Sequence, residues 1–331
     1  MVNQTPDPRP GPTRSGPPPP RPDSRPAPRT DSRPAPRTDS RPAPRPDSRP
    51  APRLDRHDET ARGPVGAAAQ DEAKLCGLNA CLAVFAKRPD DIVRAYVTQA
   101  QLAAAGDLLS WCAKQHRAYH MVTSEEMDRI TQSSHHEGIC LLVKPPLRIT
   151  LEQLCIRLAT QTGPVCVLLL EGVTNPHNFG AILRVAAHFG GAAVIQCGPE
   201  DALPRLSAAV CRTAEGAAEQ MPVIQVGNAR SAIERLRHCA LQVVATSSHA
   251  TTSVYARGMP RRCLLLLGSE AAGLSKELAE AADAVVSIPG TAWVESLNVA
   301  CATAVLMAEF RRVQPWVAPA AVVPPAAPPP R

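Results

Sequence analysis

Apolar residues occur in short runs from residue 163 onward, and stretches with helical spacing separate most of these runs. Six runs of four to six residues have the length of strands, and most lack the alternation of a half-exposed strand. The runs lie at 165–170, 192–196, 223–226, 241–245, 263–267 and 284–288. The helical stretches lie at 180–189, 206–218, 229–238 and 276–282. This alternation predicts an α/β fold with a mostly parallel sheet and helices on both faces.

A smaller α/β pattern precedes this region. Helices are predicted at 75–87 and 101–116, and strands at 92–97 and 138–143. We therefore expect two domains, residues 72–146 and 163–313. The stretch 147–162 is expected to join them as a helical segment or linker.

The first 70 residues differ in composition from the rest of the chain. Residues 23–54 repeat an eight-residue unit four times, beginning DSRPAPRT, with proline in every copy and almost no large apolar side chain. Such a segment buries too little surface to offset the entropy of ordering it, so residues 1–70 are predicted to be a disordered tail. The Pro- and Ala-rich residues 314–331 are predicted to be a second one. With 13 Arg and 8 acidic residues, the first tail suits either salt-sensitive RNA contact or a solubilising role.

The sequence shows no targeting or membrane-spanning pattern, and we expect a cytoplasmic protein. No apolar run approaches the roughly 18 residues that a spanning helix needs. The 11 cysteines are scattered singly without a CxxC pair, which favours buried reduced thiols over disulfides or a metal site. The turn His135-His136-Glu137 offers ligands or acid-base groups, but adjacent side chains in a turn point apart, so we favour a plain polar loop.

Three loops at predicted strand ends carry the candidate chemistry, because ligands of parallel sheets bind beyond the carboxyl ends of the strands. In the first, Asn178 opens a helix and Arg184 follows in it, so both could face the space above the sheet. The second, 268–274, is rich in small residues but is neither a Walker A loop nor GxGxxG. In the third, Ser296 is predicted to begin the last helix. Each loop alone also fits an ordinary cap, solvated face or connection.

As a set, these segments resemble a known family. NPHNFGAILRVAAHFG, LLLLGSEAAGL and SIPGTAWVESLNVACA are similar, in this order, to the three motifs of the SpoU/TrmH family of RNA ribose 2′-O-methyltransferases, within the SPOUT superfamily. The similarity covers about residues 163–313. Residues 72–146 further resemble the ribosomal-protein-L30-like substrate-binding domain that often precedes this one.

The resemblance implies a SPOUT-type α/β knot, a deep trefoil in which the carboxy-terminal part is threaded through a loop. It also implies an RNA partner, a homodimer, and S-adenosyl-L-methionine as methyl donor. Cofactor contacts are expected at Gly268, Ile288 and Leu297, largely through the backbone. The positions that match the family's catalytic residues are Asn178, Arg184, Glu270, Ser296 and Asn298.

Methyl transfer requires the ribose 2′-oxygen to be aligned with the methyl carbon and to lose its proton. Because a guanidinium is a poor base, Arg184 is expected to position the hydroxyl and stabilise charge rather than to deprotonate it fully. Ribosomal RNA is favoured over transfer RNA by analogy alone. The alternative is a non-catalytic RNA-binding or ribosome-assembly protein of the same fold. Trp293 is expected to pack in the core rather than to stack on a base.

Overall fold

The structure is a computed structural model that describes residues 72–291 and 293–315. The predicted tail 1–70 lies outside the described residues, as does the predicted tail 314–331 from residue 316 onward. The described residues form two β-sheets, one of four strands and one of six.

The smaller sheet combines four strands with three α-helices. The strands are β1 (Ala73–Cys76), β2 (Ile92–Val97), β3 (Ala118–Met121) and β4 (Ile139–Val143), and the helices are α1 (Leu78–Lys87), α2 (Gly106–Lys114) and α3 (Ser124–Thr131). The strand order is β1-β4-β2-β3, with β2 and β3 parallel and the other pairs antiparallel. Buried residues of α1 and α2 pack on one face, and Met127 of α3 packs on the other.

The sequence predicted about half of these elements. The strand at 92–97 is confirmed, and the strand at 138–143 begins one residue later than predicted. The helix predicted at 75–87 is wrong at its start, because Leu75 pairs with β4 as part of β1 and Gly77 turns the chain with a φ of 98°. The elements β3 and α3 were not predicted; all four residues of β3 are exposed, so the strand has no burial alternation.

The larger sheet is parallel throughout. Its strands are β5 (Val165–Glu171), β6 (Ala193–Cys197), β7 (Val223–Val226), β8 (Gln242–Thr246), β9 (Arg262–Gly268) and β10 (Ala284–Val286). They lie in the order β10-β8-β9-β5-β6-β7. All six predicted strands are present, and the predicted parallel sheet is confirmed. Because the strands are parallel, their carboxyl ends lie along one edge of the sheet.

Helices cover both faces of the larger sheet. They are α4 (Leu151–Thr160), α5 (Pro176–His188), α6 (Ala208–Ala214), α7 (Ala229–Arg237), α8 (Val254–Arg257), α9 (Lys276–Glu280) and α10 (Val299–Val313). One core contains Phe179 of α5 and Phe310 of α10, both fully buried. The other contains Leu154 of α4 and Ile233 of α7. Each such side chain stabilises the fold by about 1.5–3 kcal/mol through apolar burial.

Helix α4 lies within 147–162, the stretch expected to join the two domains. Thr150 and Gln153 form a capping box at its start, in which each side chain accepts from the other residue's backbone N–H. Leu154 and Leu158 are buried against the larger sheet. The segment is therefore a packed layer rather than a free linker over these 10 residues.

Helix α1 docks on the chain that follows α6. Arg88 forms a bidentate salt bridge with Glu219, with distances of 2.7 and 2.9 Å, and both side chains are largely buried. Gly216 has a φ of 85°, and a Cβ added there would lie 2.9 Å from the Cβ of Ala83. This close approach requires glycine and seats the smaller sheet's helix on the larger domain.

Asp283 ties the edge strand β10 to β8 and α7. Its carboxylate accepts from the Val243 N–H at 2.7 Å and from Arg237 at 2.6 Å. Partial burial opposes the shift, but these two donors lower the pKa of the Asp283 carboxyl. The folded state therefore favours the ionised carboxylate.

The 11 cysteines are all unpaired thiols, as predicted. Eight are buried, Cys155 and Cys239 are half-buried, and Cys301 is exposed. Burial raises the pKa of the Cys211 thiol to about 12. Among residues 72–291 and 293–315, no group of three or more His, Cys, Asp or Glu could hold a metal ion. Within the same ranges, every helix is too short or too polar to cross a bilayer.

Candidate active site

The carboxyl ends of β5 and β9 meet at one edge of the larger sheet. The two strands are neighbours, and their last residues, Glu171 and Gly268, pair with each other. The loop after β9 folds back so tightly that a Cβ on Gly268 would lie 2.0 Å from the carbonyl carbon of Gly273. Only glycine fits at this strand end, because any side chain would collide with the backbone.

Asn175, rather than Asn178, caps helix α5. Its side chain accepts from the N–H groups of His177 at 2.8 Å and Asn178 at 3.3 Å, and Pro176 occupies the first helical position. The helix therefore starts at Pro176 instead of residue 180. Asn178 lies in the first turn, next to the loop that follows β9.

Asn298 caps helix α10. Its Oδ1 accepts from the N–H groups of Ala300 at 2.9 Å and Cys301 at 3.3 Å. The prediction that Ser296 begins this helix is wrong, because a cap must immediately precede the first helical residue, here Val299. Ser296 lies two residues before the cap, exposed in the loop.

Asn178, Glu270 and Asn298 form a closed hydrogen-bonded cluster. The Nδ2 of Asn178 donates to Glu270 Oε1 at 3.1 Å, and the Nδ2 of Asn298 donates to Asn178 Oδ1 at 3.0 Å. The Nδ2 of Asn298 also donates to Glu270 Oε1. The same oxygen accepts from the Val299 N–H at 3.3 Å. One carboxylate oxygen thus joins three segments that are far apart in the sequence.

The environment of Glu270 suits a negative charge that acts on a ligand. The carboxylate faces the first turn of α10, whose helix dipole favours an anion there. Its second oxygen, Oε2, has no hydrogen-bond partner among the described residues, and the side chain is exposed. This oxygen is therefore available to accept a hydrogen bond from a hydroxyl or to face a cationic ligand.

The structure does not bring Arg184 into this cluster. It follows Asn178 by six positions on α5, which places it about 9 Å along the helix axis and roughly 240° around it. Its side chain is 62% exposed, and the guanidinium lies 3.8 Å from Oε1 of Glu215. The other oxygen of Glu215 accepts from Asn79 of α1 at 2.6 Å. The expectation that Asn178 and Arg184 share one space is not met within a single chain.

The three positions expected to contact a cofactor follow the strands at this edge. Gly268 ends β9, Ile288 follows β10 and is half-buried against the main core, and Leu297 directly precedes Asn298. Leu297 is 46% exposed, and Trp293 in the same loop is 91% exposed. The expectation that Trp293 packs in the core is therefore wrong within this chain.

The turn before β4 has a structural role. The His136 ring is buried, its Nδ1 accepts from the Gly138 N–H at 2.8 Å, and its Nε2 lies 3.1 Å from Asp128. Glu137 accepts from the Leu78 N–H at 3.0 Å. These contacts brace the turn, in agreement with its interpretation as a polar loop.

Sequence reasoning missed Asn175, Glu215 and Asn79. The pair Asn175-Pro176 carried a readable signal, since Asn at the cap followed by Pro at the first helical position is a typical helix start. Glu215 had none, because it ends α6 in the left-handed conformation with a φ of 52°. Its contacts with Arg184 and Asn79 arise only from the tertiary fold.

Two family models match the chain. The model described as the SpoU rRNA Methylase family matches residues 165–308, and one described as RNA 2′-O ribose methyltransferase substrate binding matches residues 74–148. The Escherichia coli O157:H7 protein named uncharacterized tRNA/rRNA methyltransferase YfiF is 36% identical over 242 residues, covering 73% of this chain and 68% of that protein. The Vibrio vulnificus protein named 23S rRNA (guanosine-2′-O-)-methyltransferase RlmB is 31% identical over 239 residues, covering 72% of this chain and 96% of that protein.

A solved structure shares the fold. The SpoU methyltransferase AviRb from Streptomyces viridochromogenes, in complex with the cofactor AdoMet, aligns with a TM-score of 0.59 and 20% identity. The alignment covers 73% of this chain and 90% of that one. The likeness confirms the predicted α/β fold, whereas the threaded topology stays a prediction.

Proposed function

The chain belongs to the SpoU rRNA methylase family, and we propose that it transfers a methyl group from S-adenosylmethionine to a ribose 2′-hydroxyl of RNA. The observation that carries this proposal is the Asn178–Glu270–Asn298 cluster, which presents a carboxylate oxygen at the carboxyl edge of the larger sheet. Ribosomal RNA is the proposed substrate class, because the Vibrio vulnificus relative is named as a 23S rRNA enzyme.

S-adenosylmethionine supplies a methyl group on a sulfonium, which is a good leaving group. The residues proposed to hold it are Gly268, Ile288 and Leu297. They fit such a ligand, since the backbone at Gly268 can carry no side chain and the other two offer apolar surface for an adenine. The exposed carboxylate of Glu270 suits a cation beside them.

Each catalytic position has a proposed task. Asn178 and Asn298 orient the Glu270 carboxylate, whose Oε2 accepts a hydrogen bond from the ribose hydroxyl and takes up its proton as the methyl group is transferred. Ser296 lies two residues before Asn298 in the exposed loop and contacts the substrate. Arg184 binds an RNA phosphate and stabilises the negative charge that develops on the ribose oxygen. A guanidinium suits this role because it is a good cation and a poor base.

We propose a division of labour along the chain. Residues 72–146 bind the RNA and residues 163–313 carry out the transfer, in line with the family models at 74–148 and 165–308. The Arg-containing residues 1–70 add salt-sensitive phosphate contacts, and the protein works in the cytoplasm on ribosomal RNA.

A homodimer with composite sites is proposed as the active unit. Arg184 lies away from the cluster of its own chain. Beside that cluster, Trp293, Val294 and Leu297 are 91%, 71% and 46% exposed, and an apolar group of this kind suits a subunit interface. In such a dimer, the arginine of one subunit completes the site of the other.

Co-expression tests the composite site. Arg184→Ala and Glu270→Gln are each expected to be inactive alone. When the two variants are co-expressed, mixed dimers carry one intact site, so about a quarter of the wild-type activity should return. Sites contained within one chain would give no recovery, and light scattering on the same samples reports whether dimers form.

Methyl transfer tests the function directly. Tritiated S-adenosylmethionine is incubated with ribosomal RNA from cells lacking the gene, and a 2′-O-methyl group is read as label in alkali-resistant dinucleotides. Arg184→Ala should lose transfer and keep S-adenosylmethionine binding by calorimetry. The matched control is Arg235→Ala, an exposed arginine on α7. A wild-type chain that binds RNA without binding S-adenosylmethionine would overturn the proposal in favour of a non-catalytic RNA-binding protein.

A further inference from the structure

The outer face of the smaller sheet, on which α3 packs, is only partly covered by the described residues. Strand pairing places two rows of side chains across this face. One row is Lys74, Leu142, Arg94 and Ala118, and the other is Cys76, Cys140, Tyr96 and His120. Met127 of α3 covers the two cysteines. The first row and His120 remain exposed or half-exposed.

Rings and cations adjoin on this uncovered part. Tyr96 and His120 stack, with ring centroids 5.6 Å apart and planes inclined by 23°. Arg94 is exposed and donates from Nη1 to the Tyr96 hydroxyl at 3.3 Å. Lys74 donates to the Ile130 carbonyl at 2.7 Å, at the end of α3. The two rows contain no carboxylate, and the nearby Glu72 acts on Arg94 from outside them, so the surface offers a π face beside two cations and one anion.

We propose that this surface, the Lys74–Arg94–Tyr96–His120 platform, binds unpaired nucleotides of the RNA substrate. A base stacks on the exposed His120 imidazole, which continues the stack begun by Tyr96, and Arg94 binds an adjoining phosphate. The inference rests on the proposed function for the identity of the ligand. It goes further by assigning a face of the smaller domain and by selecting single-stranded loops, whose bases are accessible, over duplex RNA.

A cleft next to the platform supports a nucleotide as the occupant. It opens where β2 and β3 end, has a volume of about 750 Å³, and is lined by Gln99, Gln101 and Ser124 and by the carboxylates of Glu126 and Glu137, each of which accepts from a backbone N–H. Val122 lines the cleft and also packs with the α3 cluster, so the cleft adjoins the outer face. Amide and hydroxyl groups there can hydrogen-bond to the edges of a base. An uncharged protein segment would gain little from Lys74 and Arg94, whereas the phosphates of RNA would bind them.

Fluorescence anisotropy with the full chain tests the platform. The probe is a fluorescein-labelled oligouridine, single-stranded or annealed to oligoadenosine. We expect Arg94→Ala/His120→Ala to bind the single strand at least about tenfold more weakly. Arg94→Ala alone should also reduce the salt dependence by about one released ion. Both side chains are exposed, so melting curves should stay close to wild type.

The matched control is Arg235→Ala/His238→Ala, which removes the same exposed residue types from the end of α7. It should bind the probe like the wild type. All variants should bind S-adenosylmethionine normally by calorimetry, which separates this proposal from the methyl-transfer proposal. Unchanged binding by the platform variant, an equal loss in the control, an equal loss for the duplex, or no single-strand binding by the wild type would each overturn the platform.

Discussion

The two roles of Asn298 can be measured separately by substitution. Its Oδ1 caps α10, and its Nδ2 joins Asn178 to Glu270. Serine at this position keeps a capping oxygen but has no amide donor, whereas alanine has neither. A comparison of Asn298→Ser with Asn298→Ala therefore isolates the cap, and a comparison of both with the wild type isolates the amide.

The structure sets the size of these effects. Loss of the cap should cost about 1 kcal/mol, which lowers the Tm of a domain of this size by about 2–4 °C. Loss of the hydrogen bond from the Asn298 amide to Glu270 should cost about 1 kcal/mol in either variant, which is below the usual range for a charged partner because the site is exposed. Asn298→Ala is therefore expected to melt about 2–4 °C below Asn298→Ser.

Activity should follow a different order from stability. If the amide orients the Glu270 carboxylate, both variants should lose methyl transfer to the same extent, at least about tenfold, because neither carries the Nδ2 amide that donates to Oε1 and to Asn178. Thermal melting by circular dichroism gives the Tm, and tritium transfer at 25 °C gives kcat. Wild-type transfer by Asn298→Ser would refute the reasoning, since it would reduce the role of Asn298 to capping.

Three other predictions concern the loop after β9, the contact between the two domains and the edge strand β10. Gly268→Ala should abolish S-adenosylmethionine binding in calorimetry, because its Cβ would lie 2.0 Å from the backbone of Gly273. Gly273→Ala, with a φ of 67° and no atom within 4 Å of the added Cβ, should lower the unfolding free energy by only about 1–2 kcal/mol and still bind. Equal binding by both variants would contradict this. Arg88→Ala leaves the buried Glu219 unpaired and should lower the unfolding free energy by about 2–4 kcal/mol in urea titrations, and an unchanged midpoint would contradict it. The pKa of Asp283 is lowered in the folded state from 3.8, so the carboxylate stabilises the fold above that pH and loses this effect as the pH falls through the lower folded pKa. The difference in unfolding free energy between the wild type and Asp283→Asn, measured in urea titrations, should therefore close below about pH 4. A difference that persists there would refute the linkage.

Burial explains which elements the sequence predicted. In β5, residues 165–170 are all buried, so the strand reads as a continuous apolar run. In β3, all four residues are exposed at the sheet edge, and nothing in their pattern distinguishes a strand from a loop. Helix starts were less predictable, because the capping side chain depends on where the preceding strand delivers the chain. For this reason α10 begins after Asn298 rather than at Ser296, whereas the start of α5 after Asn175 was marked in the sequence by Pro176.

The candidate site was predicted as a set of residues but not as an arrangement. The resemblance to the family's motifs pointed to Asn178, Glu270 and Asn298 as one set, and the structure joins them through one carboxylate oxygen. No spacing in the sequence indicated that oxygen as their common hydrogen-bond acceptor, since the three segments approach one another only when α10 begins beside the carboxyl ends of β5 and β9. Arg184 was predicted at the same point, but its angular position around the axis of α5 directs it toward Glu215 instead.

The position of Arg184 on α5 favours a site built from two chains over a site formed by turning α5 within one chain. Turning α5 to bring Arg184 to its own cluster would expose Phe179 and Leu183, which are fully buried. Exposing two such side chains would cost about 3–6 kcal/mol, before any loss of the Asn175 cap. Docking a second copy instead covers exposed apolar surface, as at Trp293, and leaves the helix in place. Association therefore buries apolar surface where rearrangement would expose it, which supports the proposal that an arginine from one subunit serves the carboxylate of the other.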